Sequence, residues 1–260
     1  MINNTFDFSY SYYQELLLVI KTNFDHRLLS QAQKVFLEQH NKPVIFLRHD
    51  IDLDLGKALT IAEIEFANNI KSCFMVMTDC PFYSLQNNQG KSILKDIVQM
   101  GHEIGLHLDC TNAEQRDQTI SIDEYVIRRI ENDSKILEDT ISHSVQSVSF
   151  HRPLQQFLRG PFVVAGKINA YSAVLMNWYL SDSKGTWREG EPIQFLKNPE
   201  KHVLQLLVHP IWWGEKHQSA RDRLQLFFED KTHNFSCEEK KIFDENLSSH
   251  LSIYRSKKEE

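Results

Sequence analysis

Val44-Ile45-Phe46-Leu47-Arg48-His49-Asp50-Ile51-Asp52 begins with four apolar residues and then breaks at once into charge. A short apolar run of this kind suits a strand buried on both faces. Asp50 and Asp52 share parity, so in extended backbone both project to the same side. Two carboxylates that close repel and shift each other's pKa, unless a cation or a division of labour offsets the repulsion. Alone, an Asp-x-Asp is more often two solvated loop residues, one of them capping the next helix. The rest of the chain repeats the pattern and favours a site.

Downstream, apolar runs end in acids or histidines. Ser72 to Met77 ends in Thr78-Asp79, and Gly101 to His107 ends in histidine. Val145 to Phe150 ends in His151-Arg152-Pro153, Tyr171 to Leu180 in Ser181-Asp182-Ser183, and Val203 to Val208 in His209-Pro210. Between them lie helical patterns: Leu55, Leu59, Ala62 and Phe66 recur at helical spacing and predict a helix over about residues 56–69. Ser92 to Met100 is stopped by Gly101, and Ser121 to Glu124 has capping-box spacing ahead of a long helix reaching about Thr140. Tyr12 to Ile20 and Leu28 to Gln39 read as two helices before the first strand. Leu154 to Ala170 reads as irregular. Alternating strands and helices predict an α/β fold in a single domain, its mostly parallel sheet of about six to seven strands closing as a barrel or near-barrel. Residues 1–42 are expected as an N-terminal helical segment packed on the barrel, 43–213 as the barrel, and 214–260 as a C-terminal helical extension.

In such folds functional groups sit at the carboxyl ends of the strands. That rim collects Asp50, Asp52, His107, His151, Arg152, Asp182 and His209. Each alone is more often a satisfied structural residue than a catalytic one, but their coincidence at five strand ends is hard to dismiss. A carboxylate with two or more neutral imidazoles suits zinc, and also iron, cobalt, nickel or manganese. Such an ion lowers the pKa of a bound water and polarises a carbonyl, while a second carboxylate and a further histidine move protons. The residue types point to metal-assisted hydrolysis.

The chain resembles the polysaccharide deacetylase superfamily, metal-dependent carbohydrate esterases with a distorted (β/α) barrel. The resemblance runs from about Val44 to Trp213. It rests on Arg48-His-Asp-Ile-Asp52, Gly101-His-Glu-Ile-Gly-Leu-His107, Ser149-Phe-His-Arg-Pro153, Ser181-Asp-Ser-Lys-Gly-Thr-Trp187 and Leu206-Leu-Val-His-Pro210, in family order. It implies Asp50 as general base, Asp52 and His107 as metal ligands, and Arg152 as the arginine that holds the base. It further implies Trp187 as an aromatic wall for substrate, His209 as catalytic acid and Asp182 as the acid that orients it. Two departures stand out. Ile51 separates the two aspartates, which are adjacent in the family, and Thr111 stands where the family places a second metal histidine. His151 is the expected substitute. His102 is the rival, but its distance from His107 puts the two on opposite sides of a strand, and it reads as structural.

The implied activity is removal of an acetyl group from an N-acetylated sugar or glycan precursor, with one divalent ion, zinc first. The alternatives are an inactive barrel that binds a glycan, and a metal hydrolase of another C–N bond such as a formamide or cyclic imide. The 41% hydrophobic content predicts a sizeable core, and the net charge of -6 argues against general nucleic-acid binding. The four cysteines show no paired spacing and read as reduced thiols. No apolar run spans a bilayer, and the first residues lack a basic and an apolar region, so a cytoplasmic location is expected.

Overall fold

The computed structural model describes residues 6–111, 113, 119–199 and 201–256, with backbone alone at 238–239 and 242–256. Two compact units emerge, Met1–Gln218 and Ser219–Glu260. In the first unit the strand β2 (Val44–Ile51) is buried along its whole length. Along one edge it pairs in parallel with β9 (Val203–Val208). The other edge is shared, the short β1 (Asp25–Arg27) covering Val44 to Phe46 and β3 (Cys73–Val76) covering Arg48 to Ile51. The sheet continues through β4 (Glu103–Asp109) and β5 (Ser147–His151) to the hairpin of β6 (Val163–Val164) and β7 (Lys167–Asn169). On the far side of β9 it ends at β8 (Tyr179–Ser181). Apart from that hairpin the pairings are parallel, and the sheet curls into a half-barrel, as the distorted-barrel expectation requires.

The period of two along β2 separates two cores. Ile45, Leu47 and Ile51 pack under the helices α1 (Tyr10–Asn23) and α3 (Leu55–Ala67), together with Tyr13, Leu16, Ala58 and Ile61. Val44 and Phe46 face the other way and pack with Leu29, Cys73, Met75, Ala170 and Leu175. Arg48 and Asp50 continue that second face toward the carboxyl end of the strand. Asp54 caps α3, its Oδ1 accepting from the backbone N–H of Gly56 at 2.8 Å and of Lys57 at 3.1 Å. The remaining α-helices of this unit among the described residues are α2 (Ala32–Leu37), α4 (Asn88–Gln99), α5 (Ile122–Ile141) and α6 (Pro192–Lys197). Ser121 caps α5 through the N–H of Glu124, as the sequence predicts. The second unit is the helix α7 (Ala220–Ser256), whose first turn is capped by Ser219 through the N–H of Asp222. No helix among the described residues is long and apolar enough to cross a membrane.

Three local expectations change. Of Tyr171 to Leu180, expected as one strand, only the final residues pair, because the earlier ones are spent in turns. The segment expected as irregular holds the β6–β7 hairpin, whose turn places Ala165 and Gly166 at φ 48° and 71°. Two successive positive φ values mark a type I′ turn, and an alanine in its first place hides the usual Asn-Gly signal. Strand β1 is polar and half-buried, so it carries no apolar pattern.

His49 points to the helix side of β2 and builds a buried polar cluster there. Its Nε2 lies 2.8 Å from Glu65 Oε1, which also accepts from Tyr13 Oη at 2.6 Å. Ser72 Oγ donates to Glu65 Oε2 at 2.5 Å. His102 Nδ1 accepts from the Ser72 N–H at 3.1 Å, and its Nε2 donates to Ala62 O at 3.1 Å, which fixes its tautomer. His102 is thus structural, as its parity predicts. Burial pushes the Glu65 carboxyl up, but the charge and hydrogen bond of His49, with His102 and Ser72, bring it below its usual range. Removing one partner of such a buried cluster leaves the others unsatisfied. Glu65→Ala is expected to cost about 3–5 kcal/mol in urea unfolding; a loss under about 1 kcal/mol would show that the cluster closes over without it.

Candidate active site

The carboxyl end of β2 presents Arg48, Asp50 and Asp52 on one face, with exposure rising from 0% through 2% to 23% of the side chain. Arg48 Nη2 donates to Asp50 Oδ2 at 3.0 Å, and its Nε lies 3.0 Å from Oδ1. Its other amino group reaches Gln205 Oε1 at 3.2 Å, and the guanidinium sits 4.6 Å over the ring of Tyr171. Burial alone pushes the Asp50 carboxyl up; the Arg48 charge, with His107 and His209, overrides it and holds the group below its usual range. Asp50 is therefore an ionised acceptor at neutral pH.

Asp52 stands nearer to solvent, and two imidazoles converge on one of its oxygens. His107 Nε2, from β4, lies 3.1 Å from Oδ1, and His151 Nδ1, from the end of β5, lies 3.2 Å from the same atom. These three side chains offer ligand atoms that all lie within 4.8 Å of one another. The far nitrogen of His107 is 2.6 Å from Ser149 Oγ, its register partner on β5. Burial raises the Asp52 carboxyl, but the hydrogen bonds of His107 and His151 lower it far more. The same bond to Asp52 raises His151 against the opposing effect of its partial burial.

His209 follows β9 and faces the other oxygen of Asp52, its Nε2 at 4.0 Å from Oδ2. Its Nδ1 lies 2.6 Å from Asp182 Oδ1. Asp182 is fully buried and also accepts from the His209 backbone N–H at 2.9 Å and from Trp213 Nε1 at 3.0 Å. Burial disfavours the imidazolium, but the bond and charge of Asp182, with Asp52 and Asp50, raise the His209 pKa to about 9. This ring holds a proton at neutral pH.

Asp50, Asp52, His107, His151, Asp182 and His209 thus come together. Arg152 and Trp187 do not occupy the places expected of them. Arg152 is exposed at φ 53°, and the guanidinium beside Asp50 belongs to Arg48. The reason is parity: Arg48 lies two residues before Asp50 on the same strand face, whereas Arg152 follows His151 and turns outward. Trp187 is 2% exposed and stacks on Phe8 at 6.4 Å, within the core. Packing takes the ring that was expected to form a substrate wall. Thr111 is exposed and turned back on Asp109, its Oγ1 donating to Oδ1 at 2.6 Å. Sequence reasoning gave no role to Arg48 or Ser149, although each shares strand parity with an assigned residue.

No protein-family model matches the chain, and no curated protein matches it. Solved structures similar to it include the Streptococcus pyogenes deacetylase PplD in complex with acetate. That one is 13% identical over 83% of this chain and 85% of the other, with a TM-score of 0.43. The peptidoglycan deacetylase PdaC from Bacillus subtilis is 16% identical over 74% and 85%, with a TM-score of 0.42. A mutant of BA3943, described as a CE4 family pseudoenzyme with restored enzymatic activity, is 13% identical, with a TM-score of 0.42. The match covers 75% of this chain and only 65% of that one, just under two thirds. At this distance likeness does not carry function; the side-chain geometry has to.

The two arginines separate in a stability measurement. Arg48→Ala leaves Asp50 buried without its cation and is expected to cost about 3–5 kcal/mol. Arg152→Ala, at an exposed position, is expected to stay within about 0.5 kcal/mol of the parent. Equal losses, or the reverse order, in denaturant titrations would contradict the assignment of Arg48 as the partner of Asp50.

Proposed function

We propose that this chain is a metal-dependent hydrolase that removes an acetyl group from the nitrogen of an N-acetylated sugar or glycan precursor. The observation that carries the reading is the convergence of His107 and His151 on one oxygen of Asp52, with a proton-holding His209 across from the other oxygen. The donor set fits a divalent ion: one carboxylate and two imidazoles, with the second nitrogen of His107 already engaged by Ser149. We assign Asp52, His107 and His151 as the ligands and zinc as the first candidate. When bound, the ion supplies Lewis acidity, lowering the pKa of water and polarising the acyl carbonyl.

The chain's own residues move the protons. Asp50, kept ionised by Arg48, accepts the proton of the attacking water. His209 donates its proton to the departing amine nitrogen, and Asp182 sets the ring's orientation and favours its charged form. The partial exposure of Asp52 and His151 leaves the ligand side open to substrate, while Asp50 and Asp182 are shielded behind it. The five-motif resemblance supports the amide bond and the sugar. Residues 43–213 are proposed as the catalytic barrel, flanked by segments 1–42 and 214–260.

A second reading is favoured by Thr111, which is exposed where the resemblance expects a ligand. It makes the barrel a glycan-binding module without turnover. Inductively coupled plasma analysis separates the two. The enzyme reading expects about one zinc per chain, lost in His107→Ala and in His151→Ala; a metal-free wild type that still binds a sugar supports the module. Acetylated and formylated sugar precursors, screened with free amine as the readout, then distinguish the bonds.

The acid assignment is tested by pH. His209 must be protonated to donate, so activity falls as pH rises through its pKa, which Asp182 lifts. Asp182→Asn is expected to keep the metal, lower kcat, and move the alkaline limb of the rate profile to lower pH. An unchanged limb would show that His209 is not the acid.

A further inference from the structure

We infer that Ser149 is a positioning residue whose hydroxyl holds the ring of His107 in either tautomer and links that ring to Asp50. The inference rests on the reading of Asp52, His107 and His151 as a metal site, and adds a residue that the reading does not use. Ser149 is fully buried on β5, directly across from His107 on β4. Its Oγ lies 2.6 Å from His107 Nδ1 and 3.4 Å from Asp50 Oδ1. The first contact is short and strong, and the second is long and correspondingly weak.

Hydroxyl chemistry gives this bridge two settings. A neutral imidazole carries one ring proton. With that proton on Nε2, His107 donates to Asp52, Nδ1 is a bare acceptor, and Ser149 donates to it. With the Nε2 lone pair given to a cation, the proton must sit on Nδ1, where it donates to Ser149 Oγ. The hydroxyl then has to turn its own proton away, and Asp50 Oδ1 is the acceptor within reach. Ser149 can therefore serve both settings by a single rotation about its C–O bond, with no movement of backbone. Rotation toward Asp50 accompanies loading of the ligand side, so the base gains a donor when the metal site fills. A side chain without the hydroxyl, as in Ser149→Ala, serves neither setting and leaves a buried N–H unpaired, which weakens ligation.

Zinc binding to the full chain, stripped of metal and titrated calorimetrically at one pH, tests this. Ser149→Ala is expected to weaken zinc affinity about 10–100-fold. Its metal-free thermal midpoint should stay within a few degrees of the parent. Ser149→Thr keeps the hydroxyl beside His107 Nδ1 and is expected to retain affinity within about threefold. Nitrogen-15 NMR of the zinc-loaded parent should show His107 protonated at Nδ1, with slow solvent exchange that Ser149→Ala loses. Ser149→Ala binding zinc as tightly as the parent would overturn the role of Ser149 alone. A parent that takes up no zinc would overturn the metal-site reading and Ser149 with it. Equal weakening in both variants, with both metal-free midpoints lowered, would reduce Ser149 to packing.

Discussion

A guanidinium and a carboxylate buried two residues apart on one strand constrain everything around them. Taking Arg48 and Asp50 out of water is costly, and the pair survives only if its remaining hydrogen-bonding groups are met and water is kept away. Gln205 on the neighbouring strand and the ring of Tyr171 meet the guanidinium. His107, Ser149 and His209 surround the carboxylate at greater distances. Strand β2 must stay extended for both groups to share a face, and β3 and β9 must hold its two edges to keep it so. The next residue of the same parity, Asp52, is thereby delivered to the rim.

The opposite face of β2 carries its own polar anchor. His49, between Arg48 and Asp50 in sequence, is tied through Glu65 to Tyr13 and Ser72. One strand thus holds buried charge on both sides, with apolar residues filling both faces below. That arrangement fixes its register: a slip of one residue would send Arg48 and Asp50 to the helices and His49 to the interior. Uniform burial of eight residues does not by itself specify which face is which; the charged pairs do.

Much of this was legible in the sequence. The apolar run of Val44 to Leu47, followed by acids of like parity, marked the strand and its end. Repeated runs ending in His107, His151, Asp182 and His209 marked a mostly parallel sheet with a polar rim, and the structure brings those side chains together. Family order points to Arg152 as the partner of Asp50, whereas strand parity points to Arg48. Trp187 was misplaced because a sequence does not show whether an aromatic ring covers a site or the core beneath it; here Phe8 claims its face. The hairpin at Ala165-Gly166 and strand β1 were hidden for a simpler reason, since neither carries an apolar alternation. Ser149, a serine in a strand, has no signature until its register partner is known to be His107.

The proposed site requires Asp52, His107 and His151 to share one divalent ion. Diffraction from crystals grown with zinc, recorded above and below the zinc absorption edge, tests it most directly. One strong anomalous peak is expected about 2.0–2.2 Å from Asp52 Oδ1, His107 Nε2 and His151 Nδ1. A peak held by other residues, or none at that position in fully zinc-loaded crystals, would contradict it.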